Sequence, residues 1–413
     1  MMLFLKRWFA DVEITKDLML LLLIGGLYSL SIALSNTFVN IFLWKQSGKF
    51  IDLALYNLTV CVVQPLVFIL AGRWAKKIDR VIVLRLGVSC LALFYLAVLF
   101  TGDRATDYLV LLGALLGMGY GFYWLAFNVL TFEITEPETR DFFNGFLGTL
   151  SSAGGMLGPI AAGFIITKFA SYICYSIVFG TSLTLFLGAV ILSLFLQRRP
   201  SKGRYCFLRV LRERQNNVDW KRITNAHFFQ GLREGIFVFV ISVFVFISTG
   251  SEFALGTYGL VNSGISFISY TLASRIIKKR YRKRVIFTMG ILLYLSLFLI
   301  VFNVTFIKLL LYGAVIAIAY PFFLVPYSSM TYDVIGSAWK AAEMRIEYIV
   351  VREVFTNAGR IFSILCFMVA ITLFNERESI PILLLILGAG HSIIYFFIRK
   401  IELPMTRDLV GND

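Results

Sequence analysis

The sequence has few of the residues that build metal sites, disulfide frameworks and hydrolytic centres. Its 413 residues include two His and five Cys. The cysteines show no paired spacing, which argues against both a disulfide framework and a metal site. They are Cys61, Cys90, Cys174, Cys206 and Cys366. Because no GxxxxGK(S/T) loop or hydrolytic triad occurs, we predict no ATP-driven step, no enzyme activity, no cofactor and no metal.

Charged residues are scarce as well. They make up 15% of the chain, whereas 59% of residues are hydrophobic and 16% are aromatic. This composition excludes an ordinary soluble domain and is typical of an integral membrane protein. A spanning helix needs about 20 apolar residues. The sequence predicts twelve spans, at 18–43, 52–72, 82–101, 108–131, 143–166, 172–196, 226–248, 253–274, 285–303, 309–331, 351–374 and 380–398.

The net charge of +15 is distributed unevenly along the chain. Of the 39 Lys and Arg residues, six lie on predicted external segments (Lys45, Lys49, Arg104, Lys168, Lys308 and Arg377) and three within spans (Arg233, Arg352 and Arg360). The others lie on predicted cytoplasmic segments or, in the case of Arg85, at the cytoplasmic end of a predicted span. Because basic loops resist translocation, we predict a plasma-membrane protein with both termini in the cytoplasm. Anionic lipid headgroups, rather than nucleic acid, are the expected partners of this charge.

One stretch of predicted membrane helix occurs twice. Residues 112–134 read LGALLGMGYGFYWLAFNVLTFEI, and residues 312–334 read YGAVIAIAYPFFLVPYSSMTYDV. The matched positions are Gly113, Ala114, Tyr120, Phe122 and Thr131, and then Gly313, Ala314, Tyr320, Phe322 and Thr331. A basic echo pairs residues 71–80 with 273–282. Two similar membrane halves are typical of transporters, in which the substrate path runs between the halves.

The longest hydrophilic stretch divides the chain near its middle. We predict an all-α integral membrane fold of two pseudo-symmetric six-helix halves, residues 1–197 and 223–413. Residues 198–222 would form a cytoplasmic linker, with room for an amphipathic helix at the membrane surface. The sequence gives no indication of a protein partner.

The fifth predicted span carries a glycine and proline pattern. It reads Gly145-x8-Gly154-x3-Gly158-Pro159-x3-Gly163. Small residues at these spacings let another helix approach closely, and Pro159 removes a backbone donor. The pattern also resembles motif C of proton-coupled exporters in the major facilitator superfamily, apart from Ala162 where that family prefers Gly. The twelve spans, central linker and inside termini resemble the same superfamily.

Two positions depart from that resemblance. The loop that follows the second span, from Gly72 to Asp79 and Arg80, lies where the superfamily keeps its motif A. That motif places an Asp where this chain has Lys76, so either Asp79 substitutes one turn later or the conformational lock is absent. The fourth span has Gly113 where related exporters carry an Arg. Proton coupling would then depend on other residues.

Ionisable residues within two spans are candidates for that coupling. His227, Gln230 and Glu234 share one helical face of the seventh span, and Glu234 ends near mid-membrane. We predict Glu234, with His227, as the proton carrier; a structural ion pair with another helix is the alternative. In the eleventh span, Glu353, Asn357 and Arg360 form a second stripe. Arg360 either binds an anionic group of a substrate or pairs with Glu234 or Glu353.

The resemblance also implies a cavity and gates. The predicted cavity residues are Asn36, Asn40, Tyr120, Trp124, Asn128, Gln230, Tyr320, Tyr327, Asn357 and Arg360. The predicted gating and structural residues are Gly72, Asp79, Arg80, Glu133, Arg140, Gly145, Gly154, Gly158, Pro159, Gly163, Asp333, Arg345 and Glu353. We predict intracellular salt bridges around Glu133 and Asp333, which end the two repeated helices.

The expected function is secondary active transport. A proton-coupled exporter (antiporter) would move a small amphipathic or weakly anionic molecule by alternating access. One alternative is a flippase for a lipid or a lipid-linked glycan. A second is a non-transporting scaffold or sensor derived from the same fold.

Overall fold

The computed structural model describes residues 15–134, 137–168, 173–198, 204–302 and 304–401. These residues are helical apart from short connections. The helices are α1 Lys16–Ser47, α2 Phe50–Lys77, α3 Arg80–Thr101, α4 Leu109–Ile134, α5 Pro137–Lys168, α6 Ile173–Leu194, α7 Phe207–Asn216, α8 Val218–Thr249, α9 Glu252–Ile276, α10 Arg282–Leu295, α11 Phe298–Val301, α12 Phe306–Gly336, α13 Arg345–Leu373, α14 Glu376–Gly388 and α15 Gly390–Ile398. Two 3-10 segments, Gly102–Tyr108 and Lys279–Tyr281, precede α4 and α10.

Ten segments of the described chain are long and apolar enough to cross a membrane. One of them, Arg80–Thr131, contains α3 and most of α4, which the 3-10 segment Gly102–Tyr108 separates. Glu252–Ile276 forms a continuous helix at the place of the eighth predicted span. A membrane protein with many spans is therefore confirmed, and the count of twelve stays a prediction.

The first helices of the two predicted halves are built alike. α1 and α8 are both 32 residues long. A side chain caps the start of each, since Thr15 accepts from the Leu18 amide and Asn217 from the Trp220 amide. Each ends at a left-handed glycine, Gly48 at φ 64° and Gly250 at φ 63°. Glycine adopts this conformation without the steric cost of a Cβ atom, so it can end both helices in the same way.

α5, which carries the glycine and proline pattern, packs between α1 and α9. A Cβ on Gly158 would lie 2.8 Å from the Ala33 carbonyl carbon in α1. A Cβ on Gly163 would lie 2.7 Å from the Glu252 carbonyl oxygen in α9, and one on Gly256 would lie 2.5 Å from the Pro159 oxygen. The pattern thus lets α5 join the predicted first half to the second.

The remaining glycine of the pattern that the structure describes also contacts a neighbouring helix. Gly154 also faces α1, where its Cβ would lie 3.2 Å from Leu30 Cα. The surroundings of Arg140 and Gly145 lie outside the described residues.

In the linker, α7 is the expected short helix, and it packs against α8 and α13. The Trp220 indole donates to the Val210 carbonyl at 3.2 Å, which fastens the linker to α8.

Candidate functional site

A cavity of about 910 Å³ lies among seven helices of the described chain, α1, α2, α4, α8, α9, α12 and α13. Polar and aromatic side chains line it together with apolar ones. Cavities of this size are typical of sites for small molecules. The wall includes the polar or aromatic residues Asn36, Asn40, Asn57, Gln64, Tyr120, Trp124, Asn128, His227, Gln230, Arg233, Glu234, Tyr258, Tyr312, Tyr320, Tyr332, Arg352, Glu353 and Arg360.

Eight of the ten predicted cavity residues lie in this wall, together with His227 and Glu234. The eight are Asn36, Asn40, Tyr120, Trp124, Asn128, Gln230, Tyr320 and Arg360. Some are held by their neighbours: Asn57 donates to Asn40 at 2.9 Å, and the Tyr120 hydroxyl donates to Asn36 at 3.3 Å. The roles assigned to these residues stay predictions.

Two predicted cavity residues lie behind the wall instead. Tyr327 is fully buried, with its ring centroid 4.9 Å from that of His227. Asn357 is fully buried too, and it accepts a hydrogen bond from Arg360 Nη1 at 3.3 Å. Helical spacing identifies a face and not which part of it another helix covers, so the cavity role of these two residues stays a prediction. Both instead support residues that line the cavity.

Glu234 and Arg360 form the central ion pair of the wall. Arg360 Nη2 lies 2.6 Å and Nε 3.1 Å from Glu234 Oε2. The other carboxylate oxygen, Oε1, accepts from Gln230 Nε2 at 2.8 Å and from the Tyr320 hydroxyl at 3.3 Å. One carboxylate therefore links α8, α12 and α13. Of the alternatives for Arg360, the structure shows the pair with Glu234.

Glycines bring α8 and α13 together at this pair. A Cβ on Gly231 would lie 1.8 Å from the Thr356 oxygen, and one on Gly359 would lie 2.0 Å from the Phe228 oxygen. A Cβ on Gly235 would lie 2.7 Å from the Arg360 oxygen. The two helices can approach this closely only because these three residues are glycines, which have no side chain. These glycines were not among the residues predicted from the sequence, although Gly231-x3-Gly235 is a small-xxx-small signal.

A hydrogen-bonded chain runs from Glu234 along α8. His227 Nδ1 lies 2.9 Å from Gln230 Oε1, and His227 Nε2 lies 3.1 Å from Thr331 Oγ1 of α12. An ionised Glu234 only accepts, so Gln230 turns its amide nitrogen toward Glu234 and its oxygen toward His227. His227 Nδ1 must then carry a hydrogen. The charge of Glu234 thus sets the orientation of Gln230 and the tautomer of His227.

Two more arginines line the cavity. Arg352 Nη2 lies 2.5 Å from Glu353 Oε1, so this cation is neutralised by its neighbour in sequence. Arg233 has no carboxylate within 4.0 Å among the described residues; its Nη2 donates to the Tyr312 hydroxyl at 3.3 Å. Its guanidinium also lies over the Phe237 ring, 4.6 Å from the centroid. The sequence placed Arg233 within a predicted span and indicated no function for it.

The two repeated helices end in equivalent ion pairs. Arg80 Nε lies 2.6 Å from Glu133 Oε1, and Arg282 Nη1 lies 2.8 Å from Asp333 Oδ2. Arg80 corresponds to Arg282 in the basic echo, and Glu133 corresponds to Asp333 in the longer repeat. Each pair joins helices of the same predicted half. Arg345 is exposed near this end of the protein, at the start of α13.

Lys76 forms a different contact, between the predicted halves. Its Nζ lies 2.6 Å from Glu347 Oε1 and also donates to the Glu343 carbonyl at 3.0 Å. The Lys76 side chain is 6% exposed and that of Glu347 is fully buried. Glu347 accepts a further hydrogen bond from the Cys206 amide of the linker. Asp79, by contrast, caps α3 by accepting from the Val81 amide at 2.7 Å.

A bundle of long apolar helices around a polar, ion-paired cavity is the architecture of a membrane transport protein. The profile of the Major Facilitator Superfamily matches residues 18–362. This chain belongs to the Major Facilitator Superfamily. The expected family, and the expectation of a transporter rather than an enzyme, are thereby confirmed.

Two bacterial proteins are similar to this chain in sequence. YqgE of Bacillus subtilis (strain 168), described as uncharacterized, is 62% identical over 398 residues, which cover 96% of this chain and 93% of the relative. A protein of Geobacillus stearothermophilus, described as uncharacterized and encoded in the sodM 3' region, is 59% identical over 202 residues. The match covers 49% of this chain and 94% of the relative.

Three solved structures share the fold. The human organic anion transporter MFSD10 (TETRAN) matches with a TM-score of 0.67 at 14% identity, covering 92% of this chain and 98% of that one. A bacterial homologue of the iron transporter ferroportin, outward-facing with soaked iron, has a TM-score of 0.66 at 16% identity, covering 94% and 99%. The nucleoside transporter NupG has a TM-score of 0.70 at 15% identity, covering 94% and 100%. At these identities the likeness shows the fold alone.

Proposed function

We propose that this protein is a proton-coupled secondary transporter that carries a small amphipathic molecule across the plasma membrane by alternating access. Glu234 is the proton carrier. The observation that supports this most directly is the Glu234–Arg360 pair in the cavity wall. Ionisable groups within membrane helices are costly and usually serve a pathway or a partner. Here the carboxylate lies in the cavity wall, where we expect both the substrate and the proton to reach it.

Protonation of Glu234 would loosen three helices at once. The charged carboxylate accepts two hydrogen bonds from Arg360, one from Gln230 and one from Tyr320. A neutral carboxyl group loses the charge that holds Arg360 and gains a hydrogen that must be donated. Gln230 and His227 would then reorient. Proton binding therefore changes the contacts among α8, α12 and α13 without any movement of the first predicted half.

Alternating access also requires contacts that open at the two ends of the bundle. Lys45, at the end of α1, pairs with Glu252 of α9 at 2.8 Å. Lys76, at the other end of the bundle, pairs with Glu347. Each pair joins the predicted first half to the second. Rocking of the halves about the cavity would break one pair at a time, as expected for repeats that move as rigid bodies.

The direction that the motif C resemblance favours is export, with protons entering as substrate leaves. Exchange of this kind requires that substrate and proton compete. A neutral substrate that donates hydrogen bonds would satisfy this condition, because it would take the positions of Gln230 and Tyr320 on the charged Glu234 carboxylate. The charge asymmetry along the sequence supports cytoplasmic termini, which would place the Lys76–Glu347 pair at the cytoplasmic side.

Transport in proteoliposomes tests the proposal. Purified protein would be exposed to labelled amphipathic compounds under an imposed pH gradient, with and without a protonophore. We expect compound movement that follows the gradient and stops when the protonophore collapses it. Movement of labelled lipids that ignores the gradient would instead favour a flippase. No movement of any compound or lipid would favour a scaffold or sensor.

A further inference from the structure

We propose that the cavity binds an organic anion, with Arg233 as the residue that holds the anionic group. This inference rests on the proposed transport function and names its substrate class. It also assigns the binding role to Arg233, whereas the sequence offered anion binding as one of two alternatives for Arg360.

The charged residues of the cavity wall do not balance. Three arginines and two glutamates line it: Arg233, Arg352, Arg360, Glu234 and Glu353. Glu234 neutralises Arg360, and Glu353 neutralises Arg352. Only Arg233 is left without a carboxylate among the described residues. With histidines neutral, the wall therefore carries a net charge of +1, which one anionic group would neutralise.

Arg233 is also buried and incompletely hydrogen-bonded. Its exposed fraction is 6%, and its Nε has no hydrogen-bond partner among the described residues. Its guanidinium contacts the neutral Tyr312 hydroxyl and the Phe237 ring. A buried cation with such partners is costly, since neither supplies a full negative charge. Binding of an anion would recover part of that cost.

The other titratable groups near Arg233 do not provide this charge. Glu234 follows it in α8 and is held by Arg360. Tyr258 of α9 and Tyr320 of α12 are phenols in the same wall. His391 of α15 is fully buried, and neither ring nitrogen has a hydrogen-bond partner in the described structure. A histidine is neutral or positive, so it cannot neutralise Arg233.

The surroundings of Arg233 also indicate the rest of the ligand. A guanidinium binds planar or tetrahedral oxyanions through parallel hydrogen bonds, so a carboxylate, sulfonate or phosphate monoanion would fit. Phe237, Tyr258, Tyr312 and Trp124 supply aromatic surface in the same cavity. An aromatic or amphipathic monoanion therefore matches the wall better than a sugar or a cation does.

Anion binding has a consequence for the direction of coupling. A bound anion repels the charged carboxylate of Glu234 and therefore favours its protonated form. The anion and the proton thus promote each other's binding. This linkage is reciprocal: protonation of Glu234 raises affinity for the anion by the same factor. An anionic substrate would therefore move together with the proton. For an anionic substrate, co-transport with the proton therefore replaces the exchange that the motif C resemblance favours, and Glu234 stays the proton carrier.

Binding of a matched set of probes to the purified protein tests the inference. The set is benzoate and benzenesulfonate, with benzamide as the neutral analogue and benzylammonium as the cation. Titration calorimetry would compare wild type, Arg233→Lys, Arg233→Gln and Arg377→Gln. Arg377 is exposed at the start of α14, so its variant removes the same charge outside the cavity. Gel filtration and thermal unfolding would show that each variant is folded.

We expect at least one anion to bind wild type and Arg377→Gln equally, and to lose about tenfold or more affinity in Arg233→Gln. Arg233→Lys should retain an intermediate affinity. Anion binding should also take up protons from a weakly buffered solution. Unchanged anion affinity in Arg233→Gln would overturn the inference, as would tighter binding of benzamide or benzylammonium, or no anion binding by wild type.

The inference and the proposed function can fail separately. Proton-coupled transport of a neutral compound that depends on Glu234 but not on Arg233 would keep the function and remove the anion. Anion binding at Arg233 with no transport under any gradient would remove the function and keep the site.

Discussion

Arg360 Nη2 lies 2.6 Å from Glu234 Oε2 at the point where α8 and α13 cross. The two residues are far apart in sequence and belong to helices that touch through Gly231 and Gly359. The pair is neither fully buried nor free in solvent, since the Arg360 side chain is 27% exposed and that of Glu234 is 17% exposed. Such a pair is open to the cavity while still holding two helices.

Removal of one member of the pair should destabilise the protein more than removal of both. Arg360→Gln leaves the Glu234 charge without its cation, and we expect a loss of roughly 1–3 kcal/mol in the free energy of unfolding. The cost stays below that of a fully buried pair because both side chains are partly exposed. The double variant Glu234→Gln/Arg360→Gln should recover part of this loss. Denaturant titration in detergent micelles would measure both.

A purely structural pair makes a different prediction for transport. If the pair only held α8 against α13, the double variant would keep substrate-dependent proton movement. We expect the double variant to be folded and yet to have no such movement. Retention of coupling by a folded double variant would exclude Glu234 as the proton carrier.

The close crossing of α8 and α13 should not tolerate a methyl group. Gly231→Ala would place a Cβ 1.8 Å from the Thr356 oxygen, so the helices must separate. We expect a loss of about 1–3 kcal/mol in the free energy of unfolding, together with reduced transport. Gly180→Ala in α6 is the control, because nothing lies within 4 Å of its Cβ. That variant should be neutral or stabilised by up to about 1 kcal/mol. Equal stability of the two variants would refute the crossing geometry.

The buried pair of Lys76 and Glu347 should respond to exchange of its charges. Lys76→Glu places two carboxylates together, and we expect a loss of about 3–5 kcal/mol in stability along with slowed transport. The double variant Lys76→Glu/Glu347→Lys should recover more than half of both losses. Recovery should be incomplete, since a lysine at 347 cannot accept from the Cys206 amide.

The matched control for this experiment is Lys77→Glu. Lys77 neighbours Lys76 in α2 but is exposed. The Lys77→Glu variant should keep the transport rate of wild type. Its free energy of unfolding should lie within about 0.5 kcal/mol of the wild-type value, as is usual for surface substitutions. If the double reversal were as inactive as either single variant, Lys76 and Glu347 would not act as a pair.

The sequence could predict features that depend on local spacing. Apolar length predicts the membrane helices, and the repeat relates Glu133 to Asp333. Helical spacing placed Gln230 and Glu234 on one face, and both lie in the cavity wall. A pair between Glu234 and Arg360 was one of the alternatives that their depth in the membrane allowed.

Features that depend on how distant helices pack could not be predicted in this way. Arg233 lies about 100° from Glu234 on an ideal helix, yet the cavity reaches both residues because α8 exposes a broad face to it. Lys76 occupies the position where motif A has an Asp, and its acidic partner Glu347 comes from the other predicted half of the chain. Tyr327 and Asn357 have the right spacing but are covered by neighbouring side chains. Only the packing of helices distant in sequence decides such cases.

Proton movement in proteoliposomes tests the central claim most directly. Vesicles loaded with a pH-sensitive dye would contain wild type, Glu234→Gln or Glu376→Gln, and a transported compound would be added at equal internal and external pH. Glu376 is exposed at the start of α14, so its variant removes a carboxylate outside the cavity. We predict compound-dependent proton movement in wild type and Glu376→Gln and none in folded Glu234→Gln. Equal proton movement in all three proteins would contradict the account.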